Sequence, residues 1–247
     1  MKGLLCVENQ YQSIFKRFEK KYLLNERQYQ ALMQHMKENL LPDRFGKSTV
    51  CSLYFDTPSR LLIRRSLEKP IYKEKLRLRS YGAPSDESKV FLELKKKYDG
   101  VVYKRRIETE LRPAMEYLCG QGAPPQASQI MSEIDWMLQS YENFEPAMAV
   151  SYDRTAWTLR QENGIRITFD SRILWRETEL SLKNGAYGSE LLAQGERLME
   201  LKLPFSMPLW LARLLGELEI YPVSFSKYGR AYIKSLEMKQ KGGINCA

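Results

Sequence analysis

Lys73, Lys75, Arg77 and Arg79 occupy every second position of the stretch Lys73-Glu74-Lys75-Leu76-Arg77-Leu78-Arg79. Successive strand side chains point to opposite faces, so these cations share one face and leave Leu76 and Leu78 on the other. A strand of this kind buries its apolar side and needs a wet, negatively charged partner for the opposite one. The arrangement recurs along the chain. Glu93, Lys95 and Lys97 share a face, as do Glu200 and Lys202, then Arg17, Glu19 and Lys21, then Lys104, Arg106 and Glu108, then Arg166 and Asp170.

A solvated outer face of an antiparallel sheet accounts for any one such segment. Six together, with the Glu-x-Lys pair repeated at Glu19, Glu93 and Glu200, favour strands closed into a barrel with the charged faces inside. Unpaired buried charge is costly. Such an interior has to be hydrated, internally paired and open to an anionic ligand, which describes a wet tunnel.

The chain has 247 residues, a formal net charge of +9 and a pI near 9.3, which call for an acidic partner. The cations sit at strand spacing and not in a tail-like block, and the aromatic residues do not interleave with them as a nucleic-acid stacking platform requires. Nucleic acid is therefore not expected as a partner. Cys6, Cys51, Cys119 and Cys246 are scattered, which supports neither a metal cluster nor a disulfide framework and fits reduced thiols in a cytoplasm. No apolar run approaches the roughly 20 residues that span a bilayer, and the first residues are too short an apolar stretch for a signal peptide. A cytoplasmic protein is expected, with docking at the periphery of a membrane left open.

The one histidine, His35, lies in a stretch of helical period, so histidine-based acid–base chemistry and Ser-His-Asp triads are excluded in practice. Chemistry has to rest on carboxylates, cations and a metal ion, which suits phosphoryl transfer.

The spacing predicts a strand over 14–24, a helix over 26–39 capped by Asn25 and ended by Pro42, and a strand over 50–56 followed by a short helix near 59–66. A three-strand meander follows over 71–81, 89–97 and 101–110, with Asp99-Gly100 as one turn. A helical stretch over 112–141 is interrupted at 120–125. Strands over 147–157 and 164–170, joined at Asn163-Gly164, precede strands over 172–180 and 196–203. Helices over 208–218 and 226–238 complete an α+β chain read as one domain, 1–247, with a core of about 14–232 and a frayed tail. The expected architecture is a closed antiparallel barrel with helices packed outside and at the ends.

Seven segments occur in order: Glu19-Lys20-Lys21-Tyr22-Leu23-Leu24, Ser52-Leu53-Tyr54-Phe55-Asp56-Thr57, Lys75-Leu76-Arg77-Leu78-Arg79, Phe91-Leu92-Glu93-Leu94-Lys95, Tyr152-Asp153-Arg154-Thr155-Ala156-Trp157, Glu200-Leu201-Lys202 and Phe225-Ser226-Lys227-Tyr228. As an ordered set they resemble the VTC (vacuolar transporter chaperone) domain, a branch of the CYTH-like triphosphate tunnel metalloenzymes, and the chain is most similar to bacterial single-domain members. The resemblance implies a tunnel that holds ATP and inorganic polyphosphate or triphosphate with a divalent metal, Mn²⁺ or Mg²⁺. It also implies an ATP-dependent polyphosphate polymerase. A non-catalytic polyphosphate-binding module and a tripolyphosphatase are the alternatives.

Matched to the family, Lys21, Lys75, Arg77, Arg79, Lys95, Arg154, Lys202 and Lys227 are the implied phosphate ligands, and Ser226 adds a neutral hydrogen bond. Lys104, Arg106 and Arg166 join them by spacing. Arg77, Arg79, Arg154 and Glu200 are the implied catalytic residues. Glu200 is also the implied metal ligand, with Glu19 and Glu93 as helpers or as ion-pair partners of the lysines. The hydrolase and cyclase branches carry Glu-x-Glu-x-Lys on the first strand, where this chain reads Arg17-x-Glu19-x-Lys21. The exchange of a carboxylate for a cation disfavours a two-metal hydrolase. A membrane-protein partner is compatible with the resemblance.

Overall fold

The computed structural model describes residues 18–99, 101–141, 143–160, 164–204 and 206–243. Nine strands form one antiparallel sheet: β1 (Phe18–Leu24), β2 (Leu40–Asp56), β3 (Tyr72–Tyr81), β4 (Lys89–Tyr98), β5 (Val101–Glu110), β6 (Glu145–Leu159), β7 (Arg166–Arg176), β8 (Ser189–Glu190) and β9 (Arg197–Leu203). Their order is β1-β9-β7-β6-β2-β3-β4-β5, with β8 paired to β7. The helices are α1 (Glu26–Met36), α2 (Leu61–Leu67), α3 (Leu111–Leu118), α4 (Gln129–Ser140), α5 (Leu209–Glu217) and α6 (Lys227–Gly243).

Period-two patterning decides the two faces of the sheet. Cys51, Leu53 and Phe55 of β2 join Leu76, Leu78, Leu92, Leu94 and Ile107 in a cluster covered by α3 and α4. Tyr22, Leu24, Ile167, Phe169, Met199 and Leu201 form a second cluster under α1 and α5. These are the outer face. Val50 and Tyr54, of opposite parity on β2, belong to a third cluster with Met148, Val150, Ile173, Trp175 and Leu198, into which α6 inserts Tyr228, Ala231 and Tyr232 and the segment before it inserts Phe225. That cluster lies on the inner face.

The sheet curls strongly. Lys21 of β1 donates to the Phe225 carbonyl at 2.9 Å, and Lys75 of β3 donates to Ser226 Oγ at 2.9 Å. The two strands stand five places apart in the sheet order, a separation of about 24 Å in a flat sheet. Their meeting at adjacent residues requires the inner face to be concave. The hydrogen-bonded path nevertheless ends at β1 and β5, and the outer edge of β1 is taken by the segment before α6, through a Tyr22–Pro222 bridge and a Val223 N–H to Lys21 carbonyl bond of 2.7 Å. The sheet is therefore wrapped and not closed by strand pairing. The wet interior expected from the sequence is also only half realised, because the end beneath α6 is packed with apolar side chains.

Two local expectations shift. Asn25 does cap α1, accepting from Gln28 N–H in a capping box, but β2 begins at Leu40 and runs through Pro42. Its register with β6 breaks between Pro42 and Lys47, the kind of irregularity at which a strand accepts proline. The segment 172–176 is the end of β7 and not a separate strand; Arg172, at φ 45°, sits where the β6–β7 register slips. The expected strand before Phe18, and with it Arg17, lies outside the described residues, as do Cys6, Asn163 and Cys246. Cys51 and Cys119 are free thiols.

Asp56 ties the end of β2 to two helices. Fully buried, it accepts from the Leu62 and Ile63 N–H groups at 2.9 and 3.0 Å and from the Tyr228 hydroxyl at 2.9 Å. Asp56→Ala leaves those donors unpaired, and the expected loss is about 2–4 kcal/mol, measurable as a lower urea midpoint. Tyr228→Phe removes a single bond and is expected to cost about 1 kcal/mol.

Candidate functional site

The remainder of the inner face carries the charge, organised around two carboxylate hubs. Glu93, on β4, is 1% exposed and is flanked in register by Arg77 on β3 and Arg106 on β5. Arg77 forks onto Oε2 through Nε at 2.8 Å and Nη2 at 2.7 Å, and Arg79 Nη1 lies 3.7 Å from the same oxygen. Oε1 receives Lys104 at 2.8 Å and Arg106 Nε at 2.7 Å. Burial alone would raise the Glu93 carboxyl, but Arg77, Arg79 and Lys104 drive it far below the usual carboxylate range.

The second hub joins β6, β7, β9 and α6. Arg154 makes a bidentate pair with Asp170 at 2.6 and 2.7 Å, and its Nη2 is 3.5 Å from Glu200 Oε2. Lys227, at the start of α6, stands 2.5 Å from Asp170 Oδ2 and 3.3 Å from Glu200 Oε1. Lys21 lies 3.6 Å from both Glu19 and Glu200. Burial opposes charge on Glu200 too, yet Lys227, Lys21 and Arg154 hold its carboxyl well below the ordinary value. Burial likewise disfavours the Lys227 ammonium, and Asp170 and Glu200 overcome it, so that its pKa rises.

Three lysines of the same face are of a different kind. Among the described residues, no carboxylate forms an ion pair with Lys75, Lys95 or Lys202. Burial lowers the pKa of all three. For Lys75, burial together with the neighbouring Lys73, Lys95, Lys21 and Arg77 brings it down to about 7. These amines share the inner face with the two hubs and have no carboxylate partner among the described residues.

The expected residues are thus brought together on one concave surface: Lys21, Lys75, Arg77, Arg79, Lys95, Arg154, Lys202, Ser226 and Lys227, joined by Lys104 and Arg106 through Glu93. Arg166 stands in register with Lys202 but is engaged by Asp43 at 2.6 Å. Two features escaped the sequence reading. Asp170 appeared there only as part of a charged face, although it is the fully buried anchor of Arg154 and Lys227. A set of tyrosines also positions the cations from the dry side. The Tyr54 hydroxyl accepts from Arg77 at 3.1 Å, Tyr152 accepts from Arg79 at 3.4 Å, and the Tyr152 ring lies under both Arg154 and Lys227. Nothing local in the sequence separates these tyrosines from ordinary core aromatics.

The donor set can be tested against a divalent cation. No group of three or more Asp, Glu, His or Cys side chains with metal-holding geometry occurs among the described residues. Glu93 is saturated by cations and makes a poor metal ligand. Glu200 is held more loosely, with its three cations at 3.3–3.6 Å, and it stands opposite Thr168 in register. Thr168 Oγ1 is buried without a hydrogen-bond partner. Hard oxygen donors of this kind, few in number, fit Mg²⁺ or Mn²⁺ bound chiefly through waters and substrate phosphates. Glu200 is the fitting anchor.

Together, the wrapped antiparallel sheet and its cationic inner wall define the fold and the candidate site. The sequence matches the VTC domain over residues 16–236, and the chain belongs to that family. No curated protein gives a significant match. Among solved structures, a proposed adenylate cyclase from Bacillus halodurans is similar, with a TM-score of 0.53 and 14% identity over 85% of this chain and 95% of that one. A proposed adenylyl cyclase from Hippeastrum, described as having a dominant triphosphatase activity, has a TM-score of 0.49 and 17% identity over 85% and 92% of the two chains. At such identities the likeness is one of fold.

Lys75 makes anion binding proton-linked. Its ammonium is half lost near pH 7 in the free protein, and a bound polyanion raises its pKa, so binding takes up protons above that pH. Tripolyphosphate affinity is therefore expected to fall from pH 7 to 9, by up to about tenfold per pH unit for one linked proton. Calorimetry in two buffers of different ionisation enthalpy reads the uptake directly. Lys75→Met is expected to reduce it, leaving the part contributed by Lys104, whose pKa burial also lowers, to about 8, against the pull of Glu93.

Proposed function

We propose that the protein is a metal-dependent phosphotransferase that moves the terminal phosphoryl group of ATP onto a growing polyphosphate chain. One observation carries the reading: Lys75, Lys95 and Lys202, without ion-pair partners among the described residues, share one concave wall with two preorganised Arg/Lys clusters. A chain of phosphoryl groups can meet several of these separate cations at once, which a compact anion cannot. Membership of the VTC family supports the same substrate class.

In this reading Arg77, Arg79 and Arg154 fork onto phosphoryl oxygens and disperse the charge that develops in transfer. Lys21, Lys75, Lys95, Lys202 and Lys227 hold the donor and acceptor chains, and Ser226, already bonded to Lys75, orients that ammonium. A bound Mg²⁺ or Mn²⁺ would neutralise phosphate oxygens, with Glu200 as its protein ligand. The terminal oxygen of the acceptor chain forms a new bond to the γ-phosphorus as the bond to the β,γ-bridging oxygen breaks, and the electron pair leaves with ADP. The acceptor oxygen is already anionic, so no general base is needed. The chain acts as one domain, and no helix among the described residues is long and apolar enough to cross a membrane.

A second reading is supported by the lack of a three-acid metal cluster among the described residues, which suits a module that binds polyphosphate without turning it over. Incubation with ATP and Mn²⁺, followed by gel separation of products, discriminates. The phosphotransferase reading expects a ladder of long chains, and Glu200→Gln is expected to abolish it while tripolyphosphate binding persists. Binding with no product in the wild type supports the second reading. Release of orthophosphate from tripolyphosphate as the dominant reaction would make the protein a hydrolase.

A further inference from the structure

Every side chain within ion-pair distance of Glu93 is a cation, and the carboxylate holds four of them from two flanking strands. The cations are also held from behind by neutral groups. Tyr54 accepts from Arg77, Ser52 and Tyr152 accept from Arg79 at 3.4 Å each, and Arg106 stacks 4.4 Å from the centre of the Phe91 ring. With one carboxylate against four cations, the hub carries an excess of positive charge around a carboxylate that is itself buried.

We infer that Glu93 is a specificity-determining residue. As a resident anion, it sets a charge threshold that admits phosphate chains and excludes orthophosphate. The inference rests on the phosphate-chain reading above and adds the reason for its selectivity. Orthophosphate carries at most about two negative charges near neutrality. It can neither balance the hub nor compete with a carboxylate already seated at 2.7–2.8 Å from three of the cations. A longer chain bridges the hub and the unpaired lysines Lys75 and Lys95 together, and so gains from both. Replacing the carboxylate by a neutral group would vacate a ready-made pocket for a single small anion.

The test compares binding of tripolyphosphate and orthophosphate at fixed ionic strength in the wild type, Glu93→Gln and Glu93→Asp. In Glu93→Gln the selectivity for tripolyphosphate is expected to fall about tenfold or more, the scale of one charge-assisted hydrogen-bond set, because orthophosphate binds more tightly. Glu93→Asp keeps the charge but retracts it by one methylene, so that it no longer reaches both flanking strands. It is expected to move the ratio the same way by a smaller factor, and it serves as the readout if the Gln variant does not fold. Lower thermal stability with an unchanged ratio would overturn the inference and leave Glu93 a structural tie. A wild type that binds no tripolyphosphate would instead bring down the phosphate-chain reading itself.

Discussion

The structure depends on how a crowd of like charges is kept together on one concave wall. Arginines and lysines that converge from six different strands and α6 repel one another and lose hydration as the sheet wraps. The two buried acid sites, Glu93 on one side and Asp170 with Glu200 on the other, offset both costs. They are arranged so that compensation is incomplete. Each hub binds more cations than it has carboxylates, and Lys75, Lys95 and Lys202 receive none among the described residues. The residual charge is then a fixed property of the folded chain. Its arginines are already oriented, which lowers the entropic cost of taking an anion.

The dry half of the inner face has a part in this. Val50, Tyr54, Val150, Trp175 and Leu198, with Phe225 and Tyr228 from the α6 region, exclude water from one end of the wall. A charge beside such a plug sits in a medium of lower effective dielectric, where attraction to a bound phosphate is stronger than it would be in water. The tyrosines at the boundary serve both sides, because their rings belong to the plug while Tyr54 and Tyr152 offer hydroxyls to the arginines. The partial drying that departs from the expected wet tunnel therefore strengthens the site.

Much of this was legible in the sequence because it is local. The β3–β4–β5 meander follows from period-two alternation and short turns, and the cationic face of β3 follows from parity alone. β5 runs over Val101–Glu110, where alternation places it. What was not legible depends on contacts far apart in the chain. The docking of α6 rests on Tyr228 reaching Asp56 and on Lys227 reaching Asp170, neither of which leaves a periodic trace. The failure of the sheet to close follows from the segment before α6 taking the free edge of β1, a competition between two partners that no single segment announces. Pro42 was read as a stop because proline usually is one; the irregular register beside it removes the penalty.

The segments that resemble the family divide by physical role once they are placed. Lys75-Leu76-Arg77-Leu78-Arg79 and Glu200-Leu201-Lys202 put charge on the inner wall and apolar side chains under the outer helices, so each alternate residue serves a separate purpose. Tyr54-Phe55-Asp56-Thr57 and Ser226-Lys227-Tyr228 act as a pair. Asp56 fixes the start of α2 and takes the Tyr228 hydroxyl, the Tyr54 and Tyr228 rings stack at 4.6 Å, and the neighbours Ser226 and Lys227 are thereby delivered to Lys75, Asp170 and Glu200. The helix that plugs the dry end is thus also the element that carries a cation and a hydroxyl into the charged zone. Loosening Asp56 would disturb the cationic wall through packing alone, without removing any charge from it.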